Sequence, residues 1–241
     1  MALQIRPSGL LVFAVVWMRP RPQGYRRGMG GWEGLRVELR RLILEAPDAL
    51  MAFPDPESEP TRTPVRIMLA AWATEIAAGL HARYPELVEL HVGAMRFPAR
   101  ELLRNVWVPE LRGEPAADLG FDVEALAPLT VRSGWDARRD VLVTNRSARD
   151  QVLFTMGELS SVVTDSSGRV VGRFAGPQPL PLVGFAIGAQ ESRPVPVLIG
   201  TASMVPQLGY AVPPGRWSLV IALQTETGEG GLASLELTVT P

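Results

Sequence analysis

The side chains that could do chemistry in this chain are few, and the gaps among them exclude more than the members suggest. Cysteine is absent, so thiolate nucleophiles, disulfides and cysteine-held metals are excluded. All 24 basic residues are arginine, which removes Schiff-base lysines and the phosphate-binding lysine of P-loops. The only histidines are His81 and His91, at a spacing that fits neither H-x-x-x-H nor H-E-x-x-H. A zinc site built on them would need carboxylates for every other ligand. No G-x-S-x-G elbow occurs, and two histidines so placed give no support to a Ser-His-Asp triad. No residue is therefore assigned a catalytic, metal-binding or cofactor-binding role.

Three patterns come near a known site and fall short. Gly28, Gly30 and their neighbours fail G-x-G-x-x-G because Glu33 stands where the third glycine belongs. Asp55, Glu57 and Glu59 lack the glycine and terminal glutamate of a calcium loop, so a solvated loop is expected. Asp136, Asp140 and Asp165 read as turn and strand-edge residues, in contexts that predict no raised pKa. Arg138 and Arg139 read as solvated edge charge. Paired carboxylates working in a cleft between two halves of the chain stay open as an alternative.

Charge is unevenly spread over the 241 residues. Residues 1–41 hold eight arginines against Glu33 and Glu38, a net of +6, and the remainder carries −7. A basic leader on an acidic body does not describe a nucleic-acid-binding domain, and no nucleic-acid partner is expected. Gly9–Met18 is apolar but half the length of a membrane-spanning helix. Its flanking Arg19-Pro-Arg-Pro does not fit a signal cleavage site. Residues 1–31 read as a leader or extension, with Met29 as the favoured start, a cytoplasmic location and export or anchoring as the alternative.

Residues 32–110 read as a small α/β unit. Leu35, Leu39, Leu42 and Ile43 have helical spacing, although Leu35, Val37 and Leu39 also alternate as in a strand. Pro64 then opens an expected amphipathic helix through Val65, Met68, Leu69, Trp72, Ile76 and Leu80 to Arg83. A strand is expected over Glu86–Phe97, with a short helix over Glu101–Val106. Residues 111–126 read as a linker.

From residue 127 to 241 the texture becomes short β-prone runs separated by turn signals, the pattern of an all-β immunoglobulin-like sandwich. Strands are expected near Leu129–Arg132, Asp140–Asn145, Val152–Met156, Leu159–Thr164, Val170–Phe174, Val183–Ile187, Val195–Ile199, Arg216–Thr225 and Leu232–Thr240. Gly228–Gly231 is expected to turn the last hairpin. The fold class is thus an α+β chain in two parts, a helix-strand unit followed by a sandwich.

The turn Asp165–Gly168 and the stretch Pro214–Trp217 resemble the D-x-x-G hairpin and P-G-x-aromatic turn of the bacterial intracellular proteinase inhibitor domain. Leu198–Ser203 and Leu208–Gly215 resemble the C-terminal region of an actinobacterial protein family without an assigned activity. An all-arginine, Ala-, Pro- and Gly-rich composition fits such a GC-rich source. The resemblance covers residues 127–241 and implies a fold, with protease inhibition as a possible activity. The reading favoured here is a non-catalytic interaction or adaptor protein with an unknown protein partner. Its expected contact loop is Met204–Tyr210, through Pro206, Leu208 and Tyr210, although Leu208 and Tyr210 could equally cap the sandwich core.

Overall fold

The computed structural model describes residues 29–98, 119–177, 182–225 and 228–241. It has an α+β fold, with two helices and fifteen strands among those residues. Helix α1 (Met29–Glu45) buries Leu35, Leu39 and Leu42 on one face, while Val37 is 62% exposed. An alternating strand would have placed Val37 beside Leu35 and Leu39, so the helical spacing wins. Strand β1 (Leu50–Ala52) follows, then β2 (Val65–Leu69), α2 (Thr74–Arg83), β3 (Val88–Val92) and β4 (Met95–Arg96).

The helix expected from Pro64 to Arg83 is corrected at its front. Val65–Leu69 forms a strand, and the helix begins only at Thr74. Val65, Ile67 and Leu69 are buried and Arg66 is exposed, a period of two that the shorter run shares with a helical reading. Pairing with β1 on one side and parallel pairing with β3 on the other fixes it as a strand. Helix α2 supplies the crossover that a parallel pair requires. Gly93 and Ala94 then turn the chain back, so the expected strand over Glu86–Phe97 is a strand followed by a short hairpin arm.

The sheet order is β1-β2-β3-β4. Leu35, Leu39 and Leu42 of α1 and Ala77 and Leu80 of α2 share one core with Val65, Ile67, Leu69, Val88, Leu90 and Val92. Only one sheet face is covered this way.

Phe121–Ala125 is a strand, β5, inside the stretch read as a linker, and it pairs with the second unit. The Glu101–Val106 helix falls outside the described residues. Strands β6 (Leu129–Arg132), β7 (Asp136–Asn145), β8 (Gln151–Thr155), β9 (Ser161–Thr164), β10 (Val170–Arg173) and β11 (Val183–Ile187) follow. Next come β12 (Ser192–Gly200), the short β13 (Ala202–Ser203), β14 (Gly215–Thr225) and β15 (Gly228–Thr240). The expected turn at Gly228–Gly231 is corrected, because Gly228, Glu229 and Gly230 pair with Thr225, Gln224 and Leu223 inside the ladder.

One sheet is ordered β12-β7-β5. The other runs β11-β8-β14 and continues through β9, β10 and β13, with β15 pairing β14 and β6. Because β6 runs parallel to β15, that sheet is mixed. Leu159 also joins the two sheets along one side. Its N–H donates to the Pro196 carbonyl at 2.7 Å, and Leu198 N–H donates to its carbonyl at 3.1 Å. Ser161 Oγ adds a 2.7 Å bond to the Leu198 carbonyl. The result is half closed, where two separate sheets were expected. Val141, Val143, Val195, Val197 and Ile199 from the smaller sheet meet Leu153, Val163, Leu219, Ile221 and Leu237 from the larger in one core.

Aromatic contacts join the two units. Trp72 and Trp135 stack with centroids 4.8 Å apart and planes 8° apart. Gly134 makes this possible: its φ is +80°, and a Cβ there would lie 3.0 Å from Trp72 N. Phe97 and Tyr210 stack at 6.1 Å. Among the described residues, no helix is long and apolar enough to cross a membrane.

Candidate interaction surfaces

The uncovered face of the first sheet gathers charge. Strand alternation places Arg66 and Met68 of β2, Glu89 and His91 of β3 and Arg96 of β4 opposite the buried face. Cross-strand pairing sets Arg66 beside Glu89 and His91 beside Arg96. Glu89 is the hub. Arg62 Nη2 donates to its Oε2 at 3.0 Å, and Arg66 Nη2 to its Oε1 at 3.2 Å. Arg96 Nη2 and His91 Nε2 each lie 3.0 Å from Oε1.

Burial would raise the Glu89 pKa, but hydrogen bonds from His91 and Arg96 and the charges of Arg66 and Arg96 outweigh it. They hold the carboxyl down to about 2. Three guanidinium groups against one carboxylate leave this face with an excess of positive charge. Each guanidinium carries five N–H donors, so most remain available to a partner. The three arginine side chains are half exposed, at 57%, 52% and 50%. This is a preorganised cationic surface.

A second feature lies where β6, β7 and the end of β15 meet, next to the tryptophan stack. A shallow open cavity of about 370 Å³ is lined by Thr130, Arg132, Trp135, Asp136, Arg139 and Thr240, among others. The Arg132 guanidinium sits 5.6 Å from the Trp135 ring centroid, a cation–π distance. Arg139 donates to the backbone carbonyls of Arg138 and Thr130. Burial pushes the Asp136 pKa up to about 7. The residue still keeps an exposed edge, where solvent moderates that shift. This corrects the expectation that no acid has a raised pKa. Its sequence context, Trp135-Asp136-Ala137, holds no signal of it.

The residues singled out from sequence have these places. Asp165 holds its own turn, accepting from Ser167 N–H and Arg169 N–H, and hydrogen bonding lowers its pKa. Arg138 pairs with the nearly buried Glu158 at 2.6 Å, a contact that solvated edge charge did not foretell. His81 packs edge-on against Phe97. In the expected contact loop, Pro206 is exposed and opens a 3-10 turn to Leu208. Leu208 is half-buried against the second core, whereas Tyr210 is half-buried against the first. The Tyr210 hydroxyl is buried without a hydrogen-bond partner, and burial raises its pKa. The structure therefore brings these three residues close along the chain but turns them to three different environments.

Sequence reasoning missed the Glu89 hub. Glu89 and His91 were legible as the polar face of the expected Glu86–Phe97 strand, but Arg66 joins them only once Val65–Leu69 is a strand. Among the described residues, no three histidine or acidic side chains converge as a metal site.

No protein-family model matches the chain, and no curated protein matches it. Solved structures share partial likeness at low scores. A Pseudomonas fluorescens alkylpurine DNA glycosylase, AlkC, bound to abasic-site DNA, is 15% identical over 50% of this chain and 31% of its own, with TM-score 0.26. A Listeria innocua β-glucosidase is 14% identical over 50% of this chain and 16% of its own, with TM-score 0.29. A PapD-like domain of human CEP192 is 8% identical over 57% of this chain and 95% of its own, with TM-score 0.25. The aligned part spans less than a third of the glycosylase and about a sixth of the glucosidase. Likeness at this level carries no argument about the chain.

Proposed function

We propose that this is a non-catalytic protein-interaction or adaptor protein whose arginine face receives an acidic segment of a partner protein. The carrying observation is the convergence of Arg62, Arg66 and Arg96 on the single carboxylate of Glu89. A lone carboxylate orders the three guanidinium groups, which lowers the entropy lost when a partner is bound, and leaves an excess of positive charge. The strand residues of this face include no Phe, Tyr or Trp, which disfavours the base stacking used to hold single-stranded nucleic acid. A second part of the reading is that residues 121–240 form an immunoglobulin-like module. What supports it is that β5-β7-β12 in one sheet and β8-β14-β15 within the other have the order of the A-B-E and C-F-G strands of that class, to which β6, β9, β10, β11 and β13 would be additions.

The test uses the full chain and a fluorescent polyglutamate peptide, with a single-stranded DNA of matched charge in parallel. Polyglutamate binding is expected to fall at least about tenfold in the Arg66→Glu/Arg96→Glu double variant and to weaken with salt. Equal binding by that variant, or tighter binding of DNA by the native chain, would overturn the acidic-protein reading. The carboxylate-enzyme alternative gains nothing from the cavity at Asp136, since that chemistry uses two acids and one lines it.

A further inference from the structure

An unpaired strand edge attracts another strand unless something guards it, and the edges of this protein are unequally guarded. Strand β1 has three residues and an irregular register, and β4 has two. Strand β5 carries Asp122 and Glu124, with Asp122 paired to Arg146. Strand β12 has Pro194 and Pro196, and its edge at Pro196–Leu198 is bonded to Leu159. On β6 the carbonyl of Thr130 is occupied by Arg139. Strand β11, Val-Gly-Phe-Ala-Ile, has neither proline nor charge of its own, and among the described residues it pairs with β8 alone, with only its Ala186 carbonyl taken by an arginine.

Which groups of β11 are free follows from its alternation. Arg193 Nη1 donates to the Ala186 carbonyl at 3.0 Å, so the polar groups of Ala186 face away from β8. Two residues earlier, the N–H and carbonyl of Gly184 face the same way. Leu182 and Val183, beside them, are 56% and 37% exposed, two of the five most exposed large apolar residues described. Arg193 lies 5.3 Å from the Phe185 ring centroid. Among the described residues it has no carboxylate within ion-pair distance.

We propose that the free edge of β11 is a strand-addition site for an extended segment of a partner protein that alternates apolar residues and carries a carboxylate. The backbone of Gly184 and the Ala186 N–H supply the main-chain bonds, Leu182 and Val183 the apolar contact, and Arg193 the charge that sets the register. A second copy of this chain fits less well. The strand itself, Val183–Ile187, contains no Asp or Glu to set against Arg193, so β11 paired with itself would bring no anion from the strand. The site lies in the second unit and does not depend on the arginine face.

The full chain is immobilised and a displayed library of random twelve-residue peptides is selected against it. Enriched peptides are expected to alternate apolar residues around an Asp or Glu and to slow amide exchange at Gly184 and Ala186. Arg193→Gln should weaken them about fivefold, the worth of one partly exposed ion pair. Gly184→Pro removes the outward N–H and should abolish binding, although its Cβ would lie 3.1 Å from Val152 Cγ1 of β8, which must give way. If that variant does not fold, peptides N-methylated at alternate backbone nitrogens replace it and are expected not to bind. Three results overturn the proposal: no enriched peptide that depends on Gly184 or Arg193, undiminished binding of the N-methylated peptides, or a concentration-dependent dimer lost in Gly184→Pro. Polyglutamate binding at the arginine face should be unchanged in both variants, so the two readings fail separately.

Discussion

In the first unit one sheet face is covered by α1 and α2 and the other is left to charge, whereas each sheet in the second unit covers the inner face of the other. The arginines differ in part along the same line, although Arg138 and Arg146 of the second unit also pair with carboxylates. Those of the first unit meet carboxylates: Arg40 with Glu57, Arg41 and Arg83 with the nearly buried Glu38, and three with Glu89. Several of those in the second unit meet backbone carbonyls or rings instead, as Arg139 does at Thr130, Arg193 at Ala186 and Phe185, and Arg132 at Trp135. A guanidinium can do all of this because it is a planar fork that also stacks, which an ammonium group is not. The first unit is thus tied mainly by charge at its surface, and the second also by close backbone packing.

That contrast can be broken most forcefully at Gly200. A Cβ there would overlap the backbone of Phe174, so Gly200→Ala should cost about 3 kcal/mol. Urea melts at low and high salt should show the same loss, since nothing electrostatic is involved. At the joint, Trp135→Ala removes a half-buried stacked ring and should cost about 2 kcal/mol. If the two units are coupled through this stack, the thermal transition of the variant should broaden or split.

The charged face predicts a different dependence on conditions. Glu89→Gln should lower stability by roughly 1–2 kcal/mol at neutral pH, and by less in high salt. Because the folded pKa of Glu89 lies near 2, below the ordinary carboxylate value, its contribution is complete above about 4.5. It is lost as pH falls toward 2, and the variant should lack that part of the acid loss. Asp136 works with the opposite sign. Its folded pKa near 7 exceeds the unfolded value, so stability declines as pH rises from about 4 to 7. Asp136→Asn should flatten that slope and be the more stable protein at pH 8. The smallest effect is at the joint again: Tyr210→Phe removes a buried hydroxyl without a partner and should raise stability by up to about 1 kcal/mol.

Most of the second unit was legible from sequence because most strands there obey one local rule, alternation bounded by turn residues. Leu129–Arg132 and Val183–Ile187 have the boundaries expected of them. Phe121–Ala125 was hidden because Asp122 and Glu124 give it the polarity of a linker, and only pairing with β7 makes it a strand. Val65–Leu69 was hidden for the reverse reason, its apolar spacing serving a helix as well as a strand. The candidate sites were less legible still. The Glu89 hub depends on which strands become neighbours, and the elevated Asp136 pKa on the cavity where β6, β7 and β15 meet, neither of which is a local property.

The backbone bonds through Leu159 have a mechanical consequence. They fasten the two sheets along the side where β9 passes β12, so the sheets cannot slide or part there without losing main-chain bonds. At the opposite margin the described links are the turn from β6 to β7 and the side-chain bond from Arg139 to the Thr130 carbonyl, so separation is expected to begin there, as a book opens away from its spine. Amide protons of β9 and β12 should then be among the last to exchange in the second unit, and opening should pivot on Leu159.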